Sequence, residues 1–451
     1  MRTLGNCLGA LALAAACLPL SAGDLQRAFD AALQNDPTYQ AARAELASSL
    51  QNLPIARAGL RPSLSLSFSD SKVDGSRTID NPPFAPTTQT LDYRSPTQSL
   101  NLRAPLYNRE AAKKIELAQA QEAYAHALLR VRQAELADRL AKAWLENLLS
   151  DHRLAAARIQ MEAAQVQFDV AARRLTLGEG TRPEVADAAS ALDTARVQVA
   201  EAQSIRDLAL LTLRQMSGYD TKPAAPASPA LPTVSSLPAP PPFQDTLARL
   251  LAQAEAASAT LAVRRFAVTA AQLSVERARS GHYPRLDFVA SLTQASNESL
   301  STINQSANQQ SFGLQFNMPL YSGGAVSAGV TQALADQTRA EAELAAEQQT
   351  VVRDVTRLYH MASLGGDKRA ALQSTIDAAT LNLEAAQKSL TAGLATQLDI
   401  AQARRKLAVA AQEQVQGLHD LLLGRLRLHL RTGEEPAAAV QRLEEALAAS
   451  P

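Results

Sequence analysis

The chain states one plan twice. Leu177-Gly178-Glu179-Gly180-Thr181-Arg182-Pro183-Glu184-Val185 returns 215 positions later as Ala392-Gly393-Leu394-Ala395-Thr396-Gln397-Leu398-Asp399-Ile400. Ala104-Pro105-Leu106-Tyr107 returns 214 positions later as Met318-Pro319-Leu320-Tyr321. Gly59-Leu60-Arg61-Pro62-Ser63-Leu64 returns 222 positions later as Gly281-His282-Tyr283-Pro284-Arg285-Leu286. Three landmarks in one order and at nearly one spacing mean two copies of a single unit, and each copy constrains the other.

What the unit contains limits the fold further. Four segments alternate apolar and polar: Ser63–Ser69, Ser99–Ala104, Leu286–Thr293 with Val289 off the pattern, and Ser311–Met318. A period of two puts Leu64, Leu66 and Phe68 on one face and serines on the other. With their flanking residues the segments are each about 8–11 residues long, the length of a tilted membrane strand. Singly, each would equally suit a soluble sheet. The polar stretches Asp70–Pro96 and Gln294–Gln310 read as long exposed hairpin loops.

Most of the remainder is helix. Leu106–Leu177 contains no Gly or Pro, and its roughly 70 residues would reach about 105 Å. Ala325–Ala392 matches it, with a kink expected at Gly365-Gly366. Each long helix is followed by a Gly turn and a returning helix with a heptad seam. The seam holds Val185, Leu192 and Val199 with Ala188, Ala195 and Ala202, and later Ile400, Leu407 and Gln414 with Ala403, Ala410 and Gly417. Aromatics are only 4% of the chain, and Ala, Leu, Gln, Arg and Glu prevail, as in long helices. Formal net charge is +0, which implies no nucleic-acid partner.

Met1–Ala22 reads as a secretory signal, with Arg2 ahead of the apolar run Leu8–Leu20. Cys7 and Cys17 both fall inside it, so the mature chain would hold no thiol, as suits an oxidising compartment. Ala14-Ala15-Ala16-Cys17 also resembles a lipoprotein box whose Leu lies one place too far upstream. The expected organisation is a signal at 1–22, a first repeat at 23–220, a linker with eight prolines at 221–242, a second repeat at 243–433 and a tail at 434–451. Within repeat 1 the strands are placed at 62–71 and 97–105, the long helix at 106–177, the tip at 178–183 and the return helix at 184–216. Within repeat 2 the strands are placed at 285–295 and 310–319, the long helix at 325–392, the tip at 393–396 and the return helix at 397–431. A leading helical stretch, Asp24–Leu60, is expected to break at Pro37 and Pro54.

Four strands cannot close a barrel, since the smallest membrane barrels have about eight. Open edges in lipid leave unpaired backbone groups, so several chains must pool their strands. Two chains give eight and three give twelve.

These residues bring a family into view. Asn35-Asp36-Pro37, the two Pro-Leu-Tyr strand exits and the two Gly tips resemble the TolC-like outer-membrane channel family across essentially the whole mature length. The resemblance implies a mainly α fold with a transmembrane β-barrel portion. It implies a homotrimer in which a 12-stranded β-barrel is continued by a 12-helix α-barrel, with two structural repeats per chain. It places the protein in the Gram-negative outer membrane, extending into the periplasm. Its partners would be a periplasmic adaptor (membrane fusion protein) and an inner-membrane ABC or proton-driven transporter.

Candidate functional residues follow from both arguments. Glu184 and Asp399 each lie three residues after a Thr, Thr181 and Thr396, the spacing of a helix capping box. With Gly178 and Gly393 they mark the periplasmic tips. The resemblance puts Asp399 in an acidic ring at the pore entrance and has Glu184 tie the tips. A three-fold carboxylate ring would favour cations. The family's second ring acid falls on Gln402, and its latching Tyr and Arg fall on Leu390 and Ala395, so the polar latch is not expected here and the closed state would be either looser or held differently. Asn101, Arg103, Asp287 and Gln315 lie on the polar strand faces and would line the barrel lumen, Arg103 as solvated lining. Trp144, Tyr359 and His360 read as packing residues. The histidines show no metal spacing. No Lys-Ser/Thr follows the glycines as in a phosphate loop, and no nucleophile–base–acid set is apparent, so neither catalysis nor a cofactor is expected. The expected function is export of protein by type I secretion. Drug or metal efflux is the alternative, and a soluble periplasmic coiled-coil adaptor is the alternative of another class.

Overall fold

The computed structural model describes residues 24–80, 82–83, 85–218, 243–297 and 305–448. The expected signal, its two cysteines and the proline-rich linker lie outside the described residues. The chain divides into two compact units. Residues 41–131 and 259–350 form the sheet-bearing unit, and residues 24–40, 132–258 and 351–448 form the other.

The sheet-bearing unit holds four antiparallel strands in the order β1-β2-β3-β4: β1 Ser63–Ile79, β2 Thr87–Asn108, β3 Arg285–Asn297 and β4 Gln305–Asn317. The central pair, β2 with β3, joins the two repeats. Leu64, Leu102, Ala290 and Phe312 are cross-strand neighbours, as are Leu66, Leu100 and Leu292. All of these fall on one face. The other carries Ser65, Asn101, Ser291 and Ser311 in a row. Val289 lies on this polar face, between Arg103 and Gly313, which accounts for its break in the alternation.

The first hairpin corrects an expectation. Residues 70–79 and 87–96, expected as loop, are paired strand from Asp70↔Pro96 to Ile79↔Thr87. Polar cross-strand partners hold this extension: Arg94 with Asp70 at 2.6 Å, Lys72 with Asp92 at 3.2 Å, and Thr78 with Thr88 at 3.0 Å. A hairpin with both faces in water needs no apolar alternation, so polarity does not distinguish it from a loop.

The two Pro-Leu-Tyr exits differ. In the first, β2 continues through Tyr107 with a register shift between Pro105 and Tyr107. The helix α4 (Arg109–Thr176) therefore starts three residues later than expected, where Asn108 accepts the Ala111 N–H at 3.0 Å. In the second, β4 ends at Asn317, and Gly323 and Gly324, at φ 61° and 82°, turn the chain into α8 (Ala325–Thr391).

The other unit is helical. Its N-terminal helices are α1 (Asp24–Asn35) and the start of α2 (Pro37–Leu50). The next helix, α3 (Asn52–Ala58), belongs to the sheet-bearing unit. The second break thus falls at Gln51. Pro54 lies in the first turn of α3, where a missing N–H costs nothing. Asp36, only 2% exposed, accepts from Tyr39 N–H at 2.8 Å and from both Arg139 terminal nitrogens at 3.0 and 3.2 Å. That clamp gives the Asn-Asp-Pro motif its physical reason. The return helices are α5 (Arg182–Ser217) and α9 (Gln397–Arg431). Between them in sequence comes α6 (Leu247–Ala257), and α10 (Pro436–Ala448) follows α9, whereas α7 (Ala259–Arg279) belongs to the sheet-bearing unit. The core gathers Leu25 and Phe29 of α1, Leu213 of α5, Leu422 and Leu428 of α9 and Val440 of α10. All six small or polar alternate-layer positions except Gly417 are buried, from Ala188 to Ala410.

The kink expected at Gly365-Gly366 gives way to a different use of glycine. The helix α8 is continuous through both residues. A Cβ on Gly365 would sit 2.3 Å from Leu421 Cδ1 of α9, and a Cβ on Gly417 would sit 2.9 Å from Leu372 Cδ1 of α8. These glycines permit close helix approach. Gly365→Ala should therefore destabilise by about 1–3 kcal/mol through overpacking. Nothing lies within 4 Å of a Cβ on Gly366, so Gly366→Ala should stabilise by about 0.5–1 kcal/mol. Thermal melts of the two variants check the pair, and equal shifts would contradict the packing argument.

Candidate functional site

Each tip is a self-contained turn between two long helices. In the first, Gly178 adopts φ 80°, and the Glu179 and Gly180 N–H groups donate back to Arg174 O at 2.9 and 3.1 Å. Thr181 then opens α5 with a full capping box. Its Oγ1 accepts from Glu184 N–H at 3.4 Å, and the Glu184 carboxylate accepts from Thr181 N–H at 3.1 Å. Pro183 sits in the first helical turn, where its fixed φ helps.

The second tip repeats the design with tighter bonds. Gly393 adopts φ 76°, and the Leu394 and Ala395 N–H groups donate to Ser389 O at 2.8 and 3.2 Å. Asp399 Oδ2 accepts from both Thr396 N–H and Thr396 Oγ1, each at 2.7 Å, while Asp399 N–H donates to that same Oγ1 at 3.3 Å. The bond from the Thr396 backbone, followed by that from its hydroxyl, holds the Asp399 carboxyl below its usual range. Asp399 is thus a fixed negative charge at the start of α9, where the helix dipole also favours it. Gln402 is not part of this cap. It is exposed one turn further on, and lines a polar groove with Gln160 and Gln167 of α4, Ser190 and Thr194 of α5, and Arg405 of α9.

Sequence reasoning passed over the apolar residues at the tips as candidates. Leu394 is 85% exposed and Leu177 67% exposed, each adjoining a left-handed glycine. The signal was an apolar side chain inside a polar turn.

In the sheet, the polar face is wired by hydroxyls: Ser67 with Ser99 at 2.6 Å and Ser291 with Ser311 at 2.7 Å, with Asn101 donating to Ser99 Oγ at 3.2 Å. Arg103 is more than solvated lining. Its Nε and a terminal nitrogen donate to Asp287 Oδ2 at 3.1 and 2.5 Å. Asp287 is only 4% exposed, lies opposite Gln315 and next to the register shift at Pro105, and so depends on this partner. The pair links repeat 1 to repeat 2 across 184 residues of sequence. The opposite face is apolar and bare, with Leu66 at 78% and Phe312 at 84% exposure. Among the described residues no helix is long and apolar enough to cross a membrane.

Two outcomes follow. Arg103→Ala should cost about 2–4 kcal/mol, because it strands a buried carboxylate, while adding Asp287→Ala should recover much of that loss. Thermal unfolding midpoints of the single and double variants read this, and additive losses would deny the coupling. For Asp399, a lowered folded pKa means the cap contributes fully at neutral pH and loses its effect as pH falls through that value. Thr396→Val should move the carboxyl titration, followed by carboxyl carbon NMR, back up toward the ordinary range. An unmoved titration would break the assignment.

The chain matches the family described as outer membrane efflux protein over residues 28–219 and 250–434. It is 31% identical over 426 residues to the proteases secretion protein PrtF of Dickeya chrysanthemi, covering 92% of this chain and 90% of that protein. It is 30% identical over 421 residues to the alkaline protease secretion protein AprF of Pseudomonas aeruginosa, covering 90% of this chain and 83% of that protein. In fold it resembles the Campylobacter jejuni CmeC outer membrane channel, with a TM-score of 0.72 at 15% identity over 94% of this chain and 90% of that one. The apolar face of the four-stranded sheet, the long helices and the paired tips are thus those of a β-barrel joined to an α-barrel, and the chain belongs to the outer membrane efflux protein family.

Proposed function

We propose that this chain is the outer-membrane channel-tunnel of a type I secretion system and exports protein. The observation that carries the reading is its similarity, over about nine-tenths of its length, to two secretion proteins whose names specify proteases. The family assignment removes the soluble adaptor alternative.

One observation supports a homotrimer: among the described residues the outer edges of β1 and β4 are unpaired, and lipid does not tolerate such edges. Three chains would supply twelve strands and close them. Each chain would contribute two repeats of helix, strand pair, long helix, tip and return helix, with boundaries at 23–220 and 243–433. The polar face with Asn101, Arg103, Asp287 and Gln315 would line the lumen. The tips, with Gly178, Thr181 and Glu184 and with Gly393, Thr396 and Asp399, would form the periplasmic constriction, Gln402 standing one turn inside it. Leu177 and Leu394 would offer apolar contacts to a periplasmic adaptor, itself joined to an inner-membrane transporter. No catalytic step is needed, because energy would enter through that transporter.

Efflux of small molecules is the second reading, favoured by the description of the family that the chain matches, outer membrane efflux protein. Deleting the gene in its host separates the two. Loss of one or a few proteins from the culture supernatant, restored by the intact gene, is the expected result. An unchanged supernatant with heightened sensitivity to dyes or drugs would establish efflux instead. In planar bilayers, Asp399→Ala should reduce the cation-to-anion permeability ratio by about twofold, and Gln402→Asp should raise it. Unchanged reversal potentials in both would remove these residues from the constriction.

A further inference from the structure

The two rims of the apolar band differ in charge. On the hairpin side, residues 69–98 and 294–310 hold three Lys and Arg against five Asp and Glu. On the helix side, residues 55–62, 106–116 and 276–285 hold eight Lys and Arg against three Glu. This layer stands at +5 in a chain whose formal net charge is +0.

The three segments meet in space within the sheet-bearing unit. A Cβ on Gly59, after α3, would lie 3.8 Å from Ala111 Cβ at the start of α4. Lys113 of α4 pairs with Glu276 of α7 at 2.6 Å, and Arg285 pairs with Glu110. The Arg109 guanidinium lies 4.1 Å from the centre of the Tyr283 ring. The local acids are therefore engaged: Glu110 by Arg285, Glu116 and Glu276 by Lys113. Arg57, Arg61, Lys114, Arg277 and Arg279 are exposed and hold no ion pair among the described residues.

Helix dipoles account for part of this pattern. Arg57 closes α3, and Arg277 and Arg279 close α7, positions that favour cations. The same dipole opposes Arg109 in the first turn of α4, and Lys113 and Lys114 follow in the second turn, where no helix end favours them. Lys113 is compensated by Glu116 and Glu276, but Lys114 has no such partner among the described residues. An anion from outside would offset the charge. Exposed Tyr107 and Tyr283 lie at the same level, where interfacial rings belong.

We propose that this junction layer is a collar that binds the anionic headgroups of phospholipids in the leaflet on the helix side of the barrel. The inference rests on the sheet spanning the membrane with its helices on the periplasmic side. Acyl chains would lie against the apolar strand face, and the phosphodiester would meet the Arg and Lys side chains one step below it. Guanidinium groups suit this ligand, because their paired N–H donors match phosphate oxygens.

The full chain in nanodiscs of phosphatidylcholine and phosphatidylglycerol tests the collar, with retained lipids counted by native mass spectrometry after gentle release. Phosphatidylglycerol should be retained over phosphatidylcholine by about tenfold at low ionic strength, and the preference should shrink as salt screens it. The Arg57→Gln, Arg61→Gln, Arg277→Gln, Arg279→Gln variant should lower the preference to near parity, while the same four changes to Lys should keep most of it. Equal retention of the two lipids by the native chain would overturn the collar without involving any variant. So would a native preference in the Gln variant, or loss of preference to excess inorganic phosphate at constant ionic strength. A chain that fails to enter the disc at all would instead overturn the membrane reading beneath it.

Discussion

Backbone hydrogen bonding in lipid is the constraint from which the rest descends. A strand in hydrocarbon has no water to satisfy its N–H and C=O groups, and each orphan costs several kcal/mol. The four strands of this chain satisfy one another internally but leave β1 and β4 each with an open edge. An open four-stranded sheet with one bare apolar face is not a complete object in either water or lipid. In the homotrimer proposed above, copies of the sheet would close those edges, and the polar row from Ser65 to Ser311 would face the inside.

The same demand explains the central seam. The β2–β3 pairing joins strands from different repeats, and no short turn sets their register, because the connection from Asn108 to Arg285 runs through α4 to α7. Such a register is fixed by side chains. Apolar rows on one face and serine rows on the other penalise a one-residue slip, and the Arg103–Asp287 pair adds a polar pin beside the register shift. In the helical unit, the analogous pins are Arg139 on Asp36 and Arg427 on Asp138, the latter at 2.6 and 3.1 Å. Each joins segments that are remote in sequence.

Local features were legible and remote ones were not. The capping boxes at Thr181–Glu184 and Thr396–Asp399 could be read because they close within three residues, and chemistry at that distance does not depend on the fold. The alternation at Ser63–Ser69 could be read because its two faces meet different surroundings. Beyond Phe68 both faces of the first hairpin meet water, the pattern disappears, and a paired strand looked like a loop. Gly365 is ambiguous in sequence for a related reason: glycine signals both a kink and a close approach, and only the position of Leu421 distinguishes them. Arg103 looked solvated because nothing near it in sequence announces Asp287.

By itself, then, the sequence determined the duplicated plan, the strand faces, the long helices and the capped tips, since each follows from periodicity or from bonds spanning a few residues. Tertiary structure alone decided which strands are neighbours, which carboxylates are buried with which arginines, and that the cations of three separate segments gather into one layer. Those outcomes depend on contacts between residues tens to hundreds of positions apart. Such pairings leave no periodic trace in one chain, because only the paired backbone ladder and the packed helices bring the partners within reach.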